Sequence, residues 1–208
     1  MVEVIMLVTQ ILPLDKKRSR VWLDEEFAFV LYRGELRRFN ISEGKELAPE
    51  IYNEIMKELL PKRAKLRAMN LLKNHAYSVA QLKNKLRESY YPEELVEEAV
   101  DYVDSYGYVD DQRLSEEYIR IHLQDKSRMR IKQDLIRRGI STEIIESAFD
   151  NCEEEGFRQD ESGQIKELLR KRGFDSGNAT AAEWARQYGF LVRRGFSPDL
   201  IRSALGDL

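Results

Sequence analysis

The string RRGISTEIIESAF, which begins at Arg137, and the string RRGFSPDLIRSAL, which begins at Arg193, agree in character at nearly every position and start 56 residues apart. Self-similarity at that period constrains a chain more than its composition does, because each copy is one supersecondary unit that buries its apolar face against its neighbours. A looser third copy, RESYYPEELVEEAV from Arg87, carries one extra residue before its acidic pair. Each copy reads as helix, turn, helix. Gly139 and Gly195 supply the left-handed residue that ends a helix, Ser141 or Thr142 and Ser197 offer oxygen caps to the next one, and Pro198 suits a first turn. Ser89 stands where the first copy would have its glycine, so that helix is expected to end by another geometry.

Upstream of these endings, Ser78-Val79-Ala80-Gln81 and Thr180-Ala181-Ala182-Glu183 have the capping-box form of a helix start. A further helix precedes each pair, over Ala64 to Lys73, Asp111 to Leu123 and about Gln159 to Arg172, with apolar residues three and four apart. The expected cores are Leu71, Leu72, Leu82, Leu86, Leu95, Val96, Ala99 and Val103 in the first unit, and Leu114, Tyr118, Ile131, Leu135, Ile144, Ile145 and Phe149 in the second. Leu168, Trp184, Tyr188, Leu191, Leu200, Ile201 and Leu205 are expected to form the third.

Residues 1–60 follow another pattern. Val2 to Leu12, Arg20 to Leu23 and Phe27 to Leu31 are short β-branched or aromatic runs, and Asp24-Glu25-Glu26 suits a hairpin loop. Pro49 opens an amphipathic helix that runs to about Leu60, and Pro61 marks a boundary. The fold class is therefore mainly α. Three tandem three-helix bundles in an elongated array (61–110, 111–156 and 157–208) follow a small N-terminal β-rich α+β extension (1–60). Such an array suits a long partner better than an enclosed small ligand.

Charge alternates in sign along the helical part. Lys62 to Arg87 holds eight Lys or Arg and no acid, and Glu88 to Gln112 holds nine Asp or Glu and no base. A second basic cluster, Lys126, Arg128, Arg130, Lys132, Arg137 and Arg138, is interrupted only by Asp134, and an acidic stretch from Glu143 to Glu161 follows. Lopsided helices in a highly charged protein and a functional basic surface explain this equally well at the level of sequence. The net charge of −3 gives no global pull toward nucleic acid.

Catalytic chemistry has no visible seat. His75 and His122 lack a serine, cysteine or carboxylate at relay spacing, and Cys152 sits among acids that oppose thiolate formation. There is no phosphate-cradling glycine loop, no HExxH and no paired-cysteine spacing, so no enzyme activity, cofactor or metal is expected. A lone cysteine and the lack of an apolar leader or membrane-length segment point to a cytoplasmic protein, expected to be monomeric. In SYGYVDDQRLSEEY, from Ser105, Gly107 can end a helix, the tyrosines and Val109 can bury against the next unit, and Asp110 or Asp111 can cap the helix that follows.

Together, the three units, the junction GYVDDQRLSEEY, the basic helix RMRIKQDLIRRGIS and the final RRGFSPDLIRSAL resemble the RecX family of bacterial RecA regulators. WLDEEFAF and the following G-KEL resemble the N-terminal extension of many members, so the likeness spans the chain. It departs at Ser89, where a glycine is usual, and at Asp175 to Ala179. The resemblance implies a non-enzymatic protein that binds the helical groove of the RecA–DNA filament and damps filament growth, strand exchange, ATP hydrolysis and co-protease activity. Candidate partner contacts are Lys83, Lys85 and Arg87, then Arg128, Arg130, Lys132, Arg137 and Arg138, then Arg193 and Arg194. The partner implied is the RecA filament, with DNA inside it as a further contact. The alternative is a helical module that binds DNA directly.

Overall fold

The computed structural model describes residues 6–206, with side chains described as far as residue 204. The strand residues expected before Met6, and the side chain of Leu205 in the third core, lie outside the described part. The chain divides into two compact units, Met1–Val109 and Asp110–Leu208.

The first unit opens with an antiparallel sheet of β1 (Met6–Pro13), β2 (Arg18–Leu23), β3 (Glu26–Tyr32) and β4 (Glu46–Leu47), in spatial order β3-β2-β1-β4. The β2–β3 loop is tighter than expected: Glu26 already pairs with Leu23, and Asp24 and Glu25 make the turn in left-handed conformations, φ 48° and 69°. The loop is tied to β1, since Leu7 N–H donates to the Asp24 side-chain Oδ1 at 2.9 Å and Glu25 N–H donates to Thr9 Oγ1 at 3.0 Å. A short helix, α1 (Arg33–Arg38), leads from β3 toward β4.

Pro61 does not end a helix. The helix α2 (Pro49–Glu54) runs through one π turn at Ile55–Leu59 into α3 (Leu60–Leu72), and Pro61 sits in the first turn of α3. Proline lacks a donor and its ring collides with the carbonyl four residues back. The wider turn relieves both problems, with Leu60 N–H reaching Ile55 O five residues away. The boundary signal at Pro61 thus became a bulge in a continuous helical run.

Next come α4 (Val79–Arg87) and α5 (Glu93–Ser105), which pack on α3 through Leu82, Leu86, Val96, Ala99 and Val103. Ala64 and Ala68 of α3 are fully buried there, whereas Leu71 and Leu72 are only partly buried. Leu95 leaves this core and joins that of the sheet, beside Ile55 and Leu60. The extension and the first bundle therefore share apolar packing. Arg63 of α3 adds a polar tie, donating to Glu35 Oε2 at 2.8 Å.

The end of α4 corrects two readings. The left-handed residue is Tyr90, with φ 67°, so Tyr90 and not Ser89 occupies the place that Gly139 takes in the second copy. Tyr91 N–H then returns to Leu86 O as Ile140 N–H returns to Leu135 O, and no residue is inserted between the copies.

The second unit contains α6 (Asp111–His122), α7 (Arg128–Arg137), α8 (Thr142–Glu154), α9 (Glu161–Lys171), α10 (Ala181–Arg193) and α11 (Pro198–Gly206). Asp110, rather than Asp111, caps α6 by accepting from Arg113 N–H at 2.9 Å. The first core holds the expected residues plus Ile119, Leu123, Ile140, Ala148 and Cys152. In the second, Ile165, Leu169, Leu191, Phe196, Ile201 and Ala204 are buried, with Trp184, Tyr188, Leu168 and Leu200 packed around them.

Polar contacts join these two bundles, among them one from Gln164 Nε2 to Leu123 O at 2.5 Å. Ser127 Oγ caps α7 by accepting from Arg130 N–H at 3.2 Å and donates to Arg194 O at 2.9 Å. Arg128 N–H donates to Glu161 Oε1 at 2.7 Å, and Gln159 Nε2 donates to Lys126 O at 2.5 Å. Such a close join requires Gly195, because a Cβ there would lie 2.7 Å from Ser127 Oγ.

Candidate partner-binding cations

The basic helices are α4 and α7, and each is followed by an acidic helix that folds back against it. That return is what the alternation of charge encodes. In the first unit each candidate cation meets a carboxylate of its own: Lys83 with Glu97 at 2.8 Å, Lys85 with Glu88 at 2.8 Å and Arg87 with Glu93 at 2.8 Å. Arg128 reaches Glu153 at 2.6 Å and Glu146 at 3.2 Å, and Lys132 shares Glu146. The Arg128 guanidinium also lies 4.1 Å from the Phe149 ring centre. The hydrogen bond from Lys132, with that of Arg128, holds the Glu146 carboxyl below the ordinary carboxylate range against the effect of burial. Five of the ten candidate contacts thus tie one helix to the next or to its own end.

The other five are placed differently. Asp134, the lone acid of the second basic cluster, accepts from Lys126 Nζ at 3.0 Å, lies 3.5 Å from Arg130 Nε and bonds Arg137. Tyr118 OH also donates to it, at 3.0 Å. Burial alone would push its carboxyl upward, but the bonds from Lys126 and Tyr118 outweigh this and hold it below the ordinary range. One carboxylate serves three cations, so positive charge is left over. The Arg138 guanidinium lies 4.6 Å from the Tyr118 ring centre. Arg193 and Arg194 have no carboxylate within ion-pair distance among the described residues, and Arg194 rests 4.8 Å from the Phe190 ring centre.

Lys126, Arg130, Arg193 and Arg194 converge on a cavity of about 340 Å³, whose lining also includes Asp125, Ser127 and Phe196. It is created by the docking of the Gly195 turn on Ser127. Residues from two bundles meet there, which spacing along the chain did not reveal. Lys126 and Tyr118 were missed as parts of the site for the same reason, whereas the Arg130–Asp134 and Asp134–Arg137 pairs follow helical spacing and were readable.

Elsewhere, Cys152 is buried in the second unit's first core, where burial pushes its thiol up. His122 Nδ1 lies 3.2 Å from Asp125 Oδ1. No group of three or more potential metal ligands occurs among the described residues, and none of their helices is long and apolar enough to cross a membrane.

The three bundles match, in order, the first, second and third three-helix domains of RecX, over residues 64–102, 110–148 and 159–205. The chain belongs to the RecX family. A regulatory protein RecX from Caldanaerobacter subterraneus subsp. tengcongensis is 31% identical over 202 residues, covering 96% of this chain and 98% of its own length. One from Trichlorobacter lovleyi is 34% identical over 146 residues, 68% of this chain and 93% of its own. Among solved structures, a regulatory protein RecX superposes with a TM-score of 0.62 at 22% identity, covering 98% of this chain and all of its own. RecX from Lactobacillus salivarius gives 0.59 at 21% over 72% of this chain and 96% of its own, so both support the RecX fold. The family is one of regulatory proteins, and that role extends to this chain.

Proposed function

We propose that this RecX-family protein binds the RecA–DNA filament in its helical groove and inhibits filament growth, strand exchange, ATP hydrolysis and co-protease activity. The observation that carries the reading is the surplus of positive charge on the second unit. Among the described residues, Arg130 and Arg137 share one carboxylate with Lys126, and Arg193 and Arg194 have none within ion-pair distance, whereas Lys83, Lys85, Arg87, Arg128 and Lys132 are held in internal pairs. Successive bundles can engage successive protomers of a polymer, so weak contacts add through effective concentration. Charge contributes a share that falls with salt.

The test is DNA-dependent ATP hydrolysis by RecA. Substoichiometric protein is expected to lower it, and the double variant R193E/R194E is expected to lower it less while keeping its fold. Unchanged hydrolysis with equimolar wild-type protein overturns the reading.

Direct binding to DNA is a second reading, favoured by the cavity where Lys126, Arg130, Arg193 and Arg194 converge. It requires binding to duplex or single strands in the absence of RecA, with an affinity that falls steeply as salt rises. Weak binding that is flat with salt removes it.

A further inference from the structure

Beyond its first turn, helix α3 buries alanine and exposes Leu66 and Met69. Ala64 and Ala68 are 0% exposed, while Leu66 is 57% and Met69 41% exposed. A surface helix with only one partner shows the reverse, with large apolar residues inward. Lys62, Leu66, Met69 and Lys73 follow one another at intervals of four, three and four, and so share one face. Met69, Leu66 and Leu72 form, with Tyr108, a groove of about 350 Å³ whose lining includes one cation, Lys73, and no acid.

The tyrosines extend this apolar surface. Tyr106 and Tyr108 are 61% and 59% exposed, while Val109 is buried in the first bundle's own core. Their rings stack, with centres 5.9 Å apart and planes 18° from parallel, and Tyr102 meets Tyr106 edge-on at 5.1 Å. Large apolar side chains exposed side by side, rather than singly, are what an interaction surface presents.

Charge identifies the occupant. Lys73 has no carboxylate partner among the described residues, and Lys62 stands 3.8 Å from Glu58 with both side chains well exposed, a pair that holds little. Lys73 therefore lines the groove, and Lys62 lies one turn before Leu66 on the same helix face, so cations flank its apolar middle. We propose that this face docks an acidic peptide segment of a partner protein, one carrying one or two large apolar side chains. Its anchors fill the groove among Leu66, Met69 and Tyr108, and its carboxylates meet Lys62 and Lys73.

A nucleic-acid strand fits less well. It carries charge at every step, whereas the groove lining offers a single cation among largely apolar side chains. A second copy fits less well too, because a two-fold contact through this face would bring like cations together. The surface lies in the first unit and is independent of the filament reading, which rests on the second.

The experiment uses the full chain and a fluorescein-labelled peptide of about twelve residues, with leucines at helical spacing and glutamates elsewhere, binding by the helix-in-groove mode. One control peptide has lysine in place of glutamate, and another has alanine in place of leucine. Anisotropy gives the affinity and the Met69 methyl resonance gives the location. The acidic peptide is expected to bind and to shift that resonance, and both controls to bind about tenfold more weakly or worse. M69E and K73E alter exposed side chains and should each weaken binding by about the same factor with thermal unfolding unchanged. R193E/R194E should leave peptide binding intact, which separates this proposal from that on the filament. Four results overturn it: a Met69 resonance unmoved at millimolar peptide, equal binding of the lysine peptide, tighter binding of an oligothymidylate through the same residues, or self-association abolished by M69E.

Discussion

Gly195 is bound by two constraints and Gly173 by one. Both have positive φ, 86° and 65°, but a Cβ at Gly173 would meet open space while one at Gly195 would collide with Ser127 Oγ. An alanine at Gly173 should therefore cost about 1 kcal/mol of backbone strain. At Gly195 the collision also breaks the Ser127 bond to Arg194 O, so alanine there should cost about 2–3 kcal/mol. Urea unfolding of the two variants measures the difference, and equal losses would mean that the Ser127 contact holds nothing. Tyr90 shows the same conformation kept without glycine. A tyrosine in that region costs about 1–2 kcal/mol. Its ring offsets this by packing on Phe27, with centres 6.3 Å apart, and by lying 5.0 Å from the Arg20 guanidinium. The sheet thereby holds the turn of the first bundle.

At the scale of elements, opposite charge on consecutive helices is a packing code. Glu93 and Glu97 of α5 take up Arg87 and Lys83 of α4, and Glu146 and Glu153 of α8 take up Lys132 and Arg128 of α7. Exposed pairs of this kind are each worth under about 1 kcal/mol, but reversing two cations sets four acids against one another. The variant R128E/K132E is therefore expected to lose about 1–2 kcal/mol of stability, read by thermal unfolding. R193E/R194E breaks no ion pair among the described residues and should stay within about 0.5 kcal/mol of wild type while, on the proposed reading, inhibiting RecA less. Equal destabilisation of both variants would assign the whole basic set to folding. The ten cations and the helices that carry them were legible in the sequence. Which of them were already matched was not, because Lys83 and Glu97, or Arg128 and Glu153, come together only once two helices pack.

Over the whole molecule, the second unit has two apolar cores of its own, joined by Ser127, Gln159 and Glu161. Residues 110–208 should therefore fold alone with a single cooperative transition, which circular dichroism against temperature will show. Deprived of the first bundle's contacts, this fragment should need at least about tenfold more protein for the same inhibition of RecA hydrolysis. Full potency in the fragment would mean that the first unit takes no part. The sequence by itself determined the three-helix unit, its three occurrences and most helix ends, because caps, glycines and apolar periods act between residues a few positions apart. Only the tertiary structure decided that a π turn precedes Pro61, that Leu95 serves the sheet, that Tyr106 and Tyr108 are exposed and that Lys126 and Tyr118 reach the Asp134 carboxylate. Those outcomes depend on which faces meet across distant segments, and no local spacing records that.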